Sequence, residues 1–373
     1  MIPQIETIDL LKMASGDVLS LQVYKFIGNT AGKKTYIQAN LHGAEIVGNE
    51  VIQQLISYLC NVEKEELQGE IWLVPVCNPL ATNQRGHFFA TGRFNNYDGK
   101  NWNRIFWDYE KDCDNLTQFA QNNLAKSTTA IRQSFLAAIQ AAWQQKLQEK
   151  QNHSSSTTSE QYRAVLQSLC LDTDYLIDIH SSSNQAVDFL FCFQSREKSA
   201  PYFLFNYGVL MTEYDGDAFD EAFLKPWLAL EKEFAQLGRP IQFDLESWTL
   251  ELGSGMTMNS DSVAKGVEGI KNYLKHKQIL HSTEATRHPI KLVPRDAIKS
   301  YYAATGGMIK NRLPLYTKVQ KCDRIYQLLS FNKRQQLPET IDVYAETDGM
   351  IFDLATNQSV NQGEYVLDIL VDG

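Results

Sequence analysis

Residues 17–26 alternate apolar and polar positions, Val-Leu-Ser-Leu-Gln-Val-Tyr-Lys-Phe after Asp17, the period of a half-buried strand. Residues 28–34 then supply a polar turn, and residues 35–40 predict a second strand. Ile46, Val51, Ile52, Leu55, Ile56 and Leu59 recur at helical spacing. Residues 70–77 form a compact apolar run that Asn78-Pro79 stops, which predicts a buried strand. The Ala/Gln-rich stretch 116–150 predicts helix, as do residues 217–237 and 263–277. Strands alternating with helices predict an α/β fold with its sheet buried between helical layers. The polar loops follow the strand ends, where open α/β sheets place ligands.

The pattern is interrupted twice. Residues 110–170 read as an insertion, and within it Asn-His-Ser-Ser-Ser-Thr-Thr-Ser at 152–159 is a low-complexity loop that carries a solvated His153. After residue 277 the composition changes: 281–288 is a polar linker, and 290–373 shows short strands with turn signals. The expected organisation is an α/β domain over 1–285 and a small all-β domain over 290–373. Gly307-Met308-Ile309 and Gly349-Met350-Ile351 hint at a duplication inside the second. The β domain is expected to narrow access to the site, with Tyr301 and Tyr302 as candidate contributors.

Composition narrows the function classes. The chain has 373 residues, 43% of them hydrophobic, enough for a large core. Its net charge of -9, with no basic stripe, argues against nucleic acid and anionic membranes as main partners. No apolar stretch approaches the ~18 residues of a membrane span. The start, Met-Ile-Pro-Gln-Ile-Glu, lacks the basic segment and apolar run of a signal peptide. The six cysteines are scattered without a C-x-x-C pair, which suits reduced thiols in a cytoplasmic protein.

Three stretches carry chemistry. His42 and Glu45 lie in Asn40-Leu41-His42-Gly43-Ala44-Glu45, where an apolar run gives way to a helix, and His180 closes a second run, Tyr175-Leu176-Ile177-Asp178-Ile179-His180. Two imidazoles and a carboxylate make the protein ligand set of a catalytic zinc with one open position. Asp178 is a candidate partner for His180, although strand neighbours two apart share a face without having to touch. The second stretch runs from Arg93 to Arg104; its arginines and asparagines could grip a carboxylate. Arg85, earlier in the same long connection, competes with Arg93. In the third, Glu251 sits among apolar residues in Trp248-Thr249-Leu250-Glu251-Leu252-Gly253. A carboxylate there needs a partner or a task, and beside zinc-activated water it would be a general base.

In this order, His42-Gly-Ala-Glu45, Asn78-Pro79, Arg93 through Asn103-Arg104, Asp178-Ile-His180 and Thr249-Leu-Glu251-Leu-Gly253 resemble the succinylglutamate desuccinylase/aspartoacylase family, relatives of the zinc carboxypeptidases. The likeness spans roughly residues 35–275. It implies a zinc-carboxypeptidase-like mixed sheet sandwiched by helices, with a small C-terminal all-β domain. It implies one Zn2+ per chain on His42, Glu45 and His180, and Glu251 as the base. It also implies that Arg93, Asn103 and Arg104 hold the substrate carboxylate and that Arg93 helps polarise the scissile carbonyl. Asn101 and Trp102 stand where the family usually shows Asp and Leu, and the stretch from Asn78 to Arg93 is longer than usual.

The expected activity is hydrolysis of the amide bond of a small N-acyl amino acid. A metallocarboxypeptidase acting on peptide C-termini is the nearest alternative, and a binding protein that has kept the fold without catalysis is another.

Overall fold

The computed structural model describes residues 1–372 apart from 114, 152–155, 282–283 and 332–334. His153 and the centre of the low-complexity loop lie outside the described residues. Strands β1 (Gln4–Lys12), β2 (Val18–Ile27) and β3 (Thr30–Ala39) open the chain, followed by α1 (Val47–Cys60), β4 (Gln68–Val74) and the short α2 (Pro79–Thr82). Helices α3 (Tyr109–Asp112), α4 (Leu116–Asn122), α5 (Thr128–Gln151) and α6 (Thr158–Cys170) come next. Then follow β5 (Tyr175–Ser182), β6 (Gln185–Ala186), β7 (Phe189–Phe193), β8 (Tyr207–Met211), α7 (Phe219–Gln236), β9 (Glu246–Ser254), α8 (Ser260–His276) and β10 (Lys291–Pro294).

Three local expectations are corrected, and one strand is new. The polar stretch 28–34 is mostly strand, because β3 begins at Thr30 and only Gly28 and Asn29 turn. β1, whose side chains are largely exposed, pairs along the edge of β2 and escapes an apolar-pattern reading. The helical stretch 116–150 breaks between α4 and α5. And residues 158–159 belong to α6, whose start is fixed by a capping box: Thr157 and Glu160 each accept the other's backbone N–H.

The large sheet has nine strands in the order β1-β2-β4-β3-β5-β9-β7-β8-β10. Its centre, β4-β3-β5-β9, is parallel; β7 enters antiparallel to β9. Alternation along each strand divides the core in two. Tyr36 and Leu176 face a cluster with Phe135, Trp143, Leu166 and Trp227 from α5, α6 and α7. Ile37, Ile177 and Trp248 face a cluster with Leu55 and Ile270 from α1 and α8. Helices α4, α5 and α6 are therefore part of the core and cover one face of the sheet.

The C-terminal segment adds β11 (Ile298–Tyr302), β12 (Gly307–Lys310), β13 (Lys318–Val319), β14 (Arg324–Ser330), β15 (Glu339–Tyr344), β16 (Gly349–Leu354), β17 (Ser359–Val360) and β18 (Tyr365–Val371). They form a five-stranded sheet, β11-β18-β16-β13 with β6 paired to β16, and a four-stranded sheet, β15-β14-β12-β17. Two features dock this unit. β6 pairs with β16 at Ala186↔Asp353, and Phe189 and Val209 pack with Met350, Phe352 and Leu370. The two Gly-Met-Ile segments lie in β12 and β16, in different sheets, with Met308 exposed and Met350 buried.

Candidate metal centre and the cavity beside it

The carboxyl ends of β3, β5 and β9 meet along one edge of the large sheet, which brings separate motifs together. After β3 the chain turns at Asn40, which takes a left-handed backbone (φ 70°), and its side-chain amide donates to the carbonyls of His42 and Gly43 at 3.1 Å. Asn78 Nδ2 donates to Leu41 O at 2.9 Å. Gly43 is needed because a Cβ there would lie 2.0 Å from Ala81 O. This loop delivers His42 and Glu45 just ahead of α1, whose N-terminal end favours a carboxylate.

His42, Glu45 and His180 are buried, and their ligand atoms all lie within 4.8 Å of one another. His42 Nδ1 is 2.9 Å from Glu45 Oε1, and His180 Nδ1 is 2.8 Å from Glu45 Oε2. The outer ring nitrogens are held separately. His180 Nε2 meets Asp178 Oδ2 at 2.9 Å, and His42 Nε2 meets Asn101 Oδ1 at 3.0 Å. Asn101 Oδ1 also accepts the backbone N–H of Asn103 at 2.9 Å, which identifies it as the oxygen of the amide. Both Nε2 atoms therefore donate, and neutral rings turn their Nδ1 lone pairs toward the Glu45 oxygens. Lone pair against lone pair at such distances calls for a cation between them. The donor set and this geometry fit a single metal ion.

The electrostatics agree. Burial lowers the His42 pKa; Glu45 opposes that, and Arg93 and His180 add to it, so the ring favours the neutral form a metal needs. Burial also disfavours charge on His180, but Asp178 and Glu45 overcome it and raise its pKa well above the usual value. Burial would raise the Glu45 carboxyl, yet the two imidazoles hold it far below its ordinary value.

Glu251 lies opposite His180 in the β5–β9 register. Its Oε2 is buried and accepts no hydrogen bond. Burial pushes Glu251 up to about 7, with Glu45 and Asp353 adding to the rise and His180 and Arg93 opposing it. Arg93 Nη1 lies 3.3 Å from His42 Nδ1. Its loop is tied to the His42 loop by Gly43 N–H to Gly92 O at 3.2 Å and Ala44 N–H to Thr91 O at 3.0 Å. Of the two competing arginines, Arg93 is the one at the centre; Arg85 is exposed and donates to the Thr82 and Gln84 carbonyls. Asn103 Oδ1 accepts Phe219 N–H at 2.8 Å, at the start of α7. Arg104 is exposed, with its guanidinium donating to Asn103 O. Neither Asn103 nor Arg104 lines the cavity that holds Glu251.

That cavity, about 260 Å³, opens beside Arg93, Ser181 and Glu251 and is closed on its far side by Ile298, Ser300, Phe352, Asp353 and Asp368. Asp353 accepts from Ser182 Oγ at 2.7 Å and from Tyr365 OH at 2.6 Å. Reading the sequence missed Asp353, and it marked Asn101 only as a departure from the family pattern, without a role. Asp353 had a signal, being a carboxylate within the apolar strand Gly-Met-Ile-Phe-Asp-Leu, as Glu251 is in its own. Tyr301 is instead a buried side chain whose hydroxyl accepts Glu346 N–H, and Tyr302 is exposed; neither reaches the cavity. The remaining described histidines lie elsewhere: His87 packs at a tilt against Phe88, His276 stacks on Tyr202, and His281 and His288 bond Gln68 and Asn206. All six cysteines are unpaired, and no described helix is long and apolar enough to cross a membrane.

Residues 31–277 match the model of the succinylglutamate desuccinylase/aspartoacylase catalytic domain. The chain belongs to this family, whose members are zinc-dependent deacylases. A solved structure of a family protein from Shewanella amazonensis is similar over 98% of both chains, with 29% identity and a TM-score of 0.87. A second, from Shewanella frigidimarina, has 24% identity and a TM-score of 0.87 over 99% of this chain and 97% of the other. The product-bound ectoine utilization protein EutE (DoeB) of Ruegeria pomeroyi shares the fold at 17% identity and a TM-score of 0.68, over 100% of this chain and 96% of that one. Among curated proteins, none matches the chain significantly.

Proposed function

We propose that the protein is a hydrolase that binds one zinc per chain through His42, Glu45 and His180 and cleaves the amide bond of a small N-acyl amino acid. The observation that carries this reading is the buried His-Glu-His cluster with an unpartnered carboxylate oxygen, that of Glu251, on the same sheet face. Zinc supplies Lewis acidity there, making water more acidic and polarising a carbonyl. Glu251 takes the proton from the attacking water and later delivers it to the leaving amine. The Arg93 guanidinium faces the negative charge that grows on the carbonyl oxygen. Arg93, Asn103 and Arg104 hold the amino-acid carboxylate. Asp178 and Asn101 keep the two imidazoles aimed inward.

The wall that the C-terminal sheet builds across the cavity favours a small substrate over a peptide, which needs an open groove. The test is a hydrolysis screen of the zinc-loaded protein against N-acyl amino acids and C-terminal dipeptides. Turnover of the former, abolished by a chelator and restored by zinc, supports the reading. Turnover of peptides alone moves the assignment to a carboxypeptidase, and no turnover of either leaves a binding protein.

A further inference from the structure

The cavity beside Glu251 has a second character that the metal chemistry does not use. Within a mostly polar lining it has an apolar floor, formed by Phe189, Phe191 and Val209 from the large sheet with Phe352 and Ile298 from the C-terminal sheet. Phe189 and Phe352 stand 5.0 Å apart between ring centroids, so the floor is continuous across the domain junction. Its far end carries two acids. Asp353 spends both oxygens on Ser182 and Tyr365, and Asp368 Oδ1 is buried with no hydrogen-bond partner. Neither has a cationic partner among the described residues. Burial pushes Asp353 up to about 6 and raises Asp368 as well, a sign that this space already disfavours negative charge. Apart from Arg93, the cation lining the cavity is Arg295, exposed at its rim.

Resting on the proposed deacylase reading, we propose that this cavity holds the acyl group and selects an uncharged, apolar acyl chain over a dicarboxylic one such as succinyl. Asn103 and Arg104 lie outside the cavity and Arg93 stands where it meets the metal centre, so a carboxylate held by Asn103 and Arg104 puts the amino-acid half of the substrate on the other side of the scissile bond. The acyl carbon chain then extends past Glu251 onto the phenylalanine floor. A terminal carboxylate on that chain would meet Asp353 and Asp368 in a low-dielectric space, where like charges strongly oppose binding.

The experiment varies the acyl group on one amino acid: acetyl, butanoyl, hexanoyl, benzoyl, malonyl and succinyl derivatives, with the zinc-loaded enzyme. The expected result is a kcat/KM for hexanoyl or benzoyl at least about 10-fold above that for succinyl, the scale at which a fitted apolar pocket discriminates. Hexanoate should likewise inhibit more tightly than succinate. Asp368→Asn, which keeps the shape, should narrow the ratio by raising succinyl turnover. Ile298→Phe, which fills the space, should lower the hexanoyl-to-acetyl ratio of kcat/KM. Preference for succinyl, lost in Arg295→Ala, would overturn the inference by making the rim arginine a second carboxylate anchor. A flat acyl series, unmoved by Ile298→Phe, would overturn it too. Absence of turnover on every N-acyl amino acid would instead sink the deacylase reading itself, so the two failures are distinguishable.

Discussion

Glu251 on β9 stands directly opposite His180 on the parallel strand β5, so the carboxylate and the imidazole project from the same sheet face at the same level. Parallel pairing enforces this, since a slip of one residue would send either side chain into the opposite core. Thr249 and Asp178, one step back on the same face, are also in register. Strand pairing thus sets His180 and Glu251, while His42, Glu45, Arg93 and Asn101 come from loops.

Glu251→Gln should leave metal content unchanged and lower turnover roughly 10²–10⁴-fold, the usual contribution of general acid–base work. Metal analysis of the purified variant alongside steady-state rates checks it. Loss of the metal together with activity would make Glu251 a ligand, and near-normal rates would make it structural.

Asp178 and Asn101 hold the outer nitrogens of the two histidines, one with a charged and one with a neutral acceptor. Asp178→Asn and Asn101→Ala should each weaken zinc binding roughly 10–100-fold, as measured by competition with a chromophoric chelator. Asn101→Asp should tighten it, because a carboxylate raises the donor strength of the imidazole. Unchanged affinity in all three would show that the ring orientations are set by packing alone.

The ligand loop was legible in the chain because one turn places two ligands together and Gly43 marks the tight approach. Glu251 was legible as a carboxylate in an apolar run. What escaped depends on distant partners. Asp353 becomes part of the cavity because β16 pairs with β6 and Ser182, 171 residues away, donates to its carboxylate. Asn101 is bland in sequence and acquires a role from a loop that folds back over His42. β1 escaped because an edge strand with exposed side chains has no strong alternation to read. The register of β11, which puts Tyr301 in the core, follows from pairing with β18 and is invisible locally.

Arg104→Ala should mainly raise KM for substrates with a free carboxylate and leave the corresponding primary amides unaffected. Arg93→Ala should lower kcat on both, because its guanidinium sits at the metal centre. Equal losses in Arg104→Ala on acid and amide would show that Arg104 serves the fold.

Gly92 has φ +60°, and a Cβ there would meet Ala81 O and Gly43 N at 2.7 Å, next to Arg93. Gly99, in the same connection, has φ +70° with open space around it. Both Ala variants should lose about 1–3 kcal/mol of stability from the backbone. Gly92→Ala should in addition lose activity beyond Gly99→Ala, because relieving its contacts moves Arg93. Equal activities would detach the Arg93 loop from catalysis.

Asp353 offers a pH test that is independent of turnover. Its carboxyl is raised from 3.8 to about 6, burial being the main cause. A raised acid stabilises the fold relative to the ionised form below the unfolded pKa, and that advantage is lost as pH climbs through the folded one. At pH 4 the group is neutral in the native state and costs little. By pH 8 it is ionised in both states, and the native state bears the desolvation, on the order of 3 kcal/mol for a shift of this size. Asp353→Asn removes the titration while keeping hydrogen-bonding capacity toward Ser182 and Tyr365. Urea unfolding of both proteins at the two pH values should show the difference, variant minus wild type, moving in favour of the variant on going from pH 4 to pH 8. A pH-independent difference would mean that Asp353 titrates alike in the folded and unfolded states, with Tyr365 and Ser182 offsetting its burial.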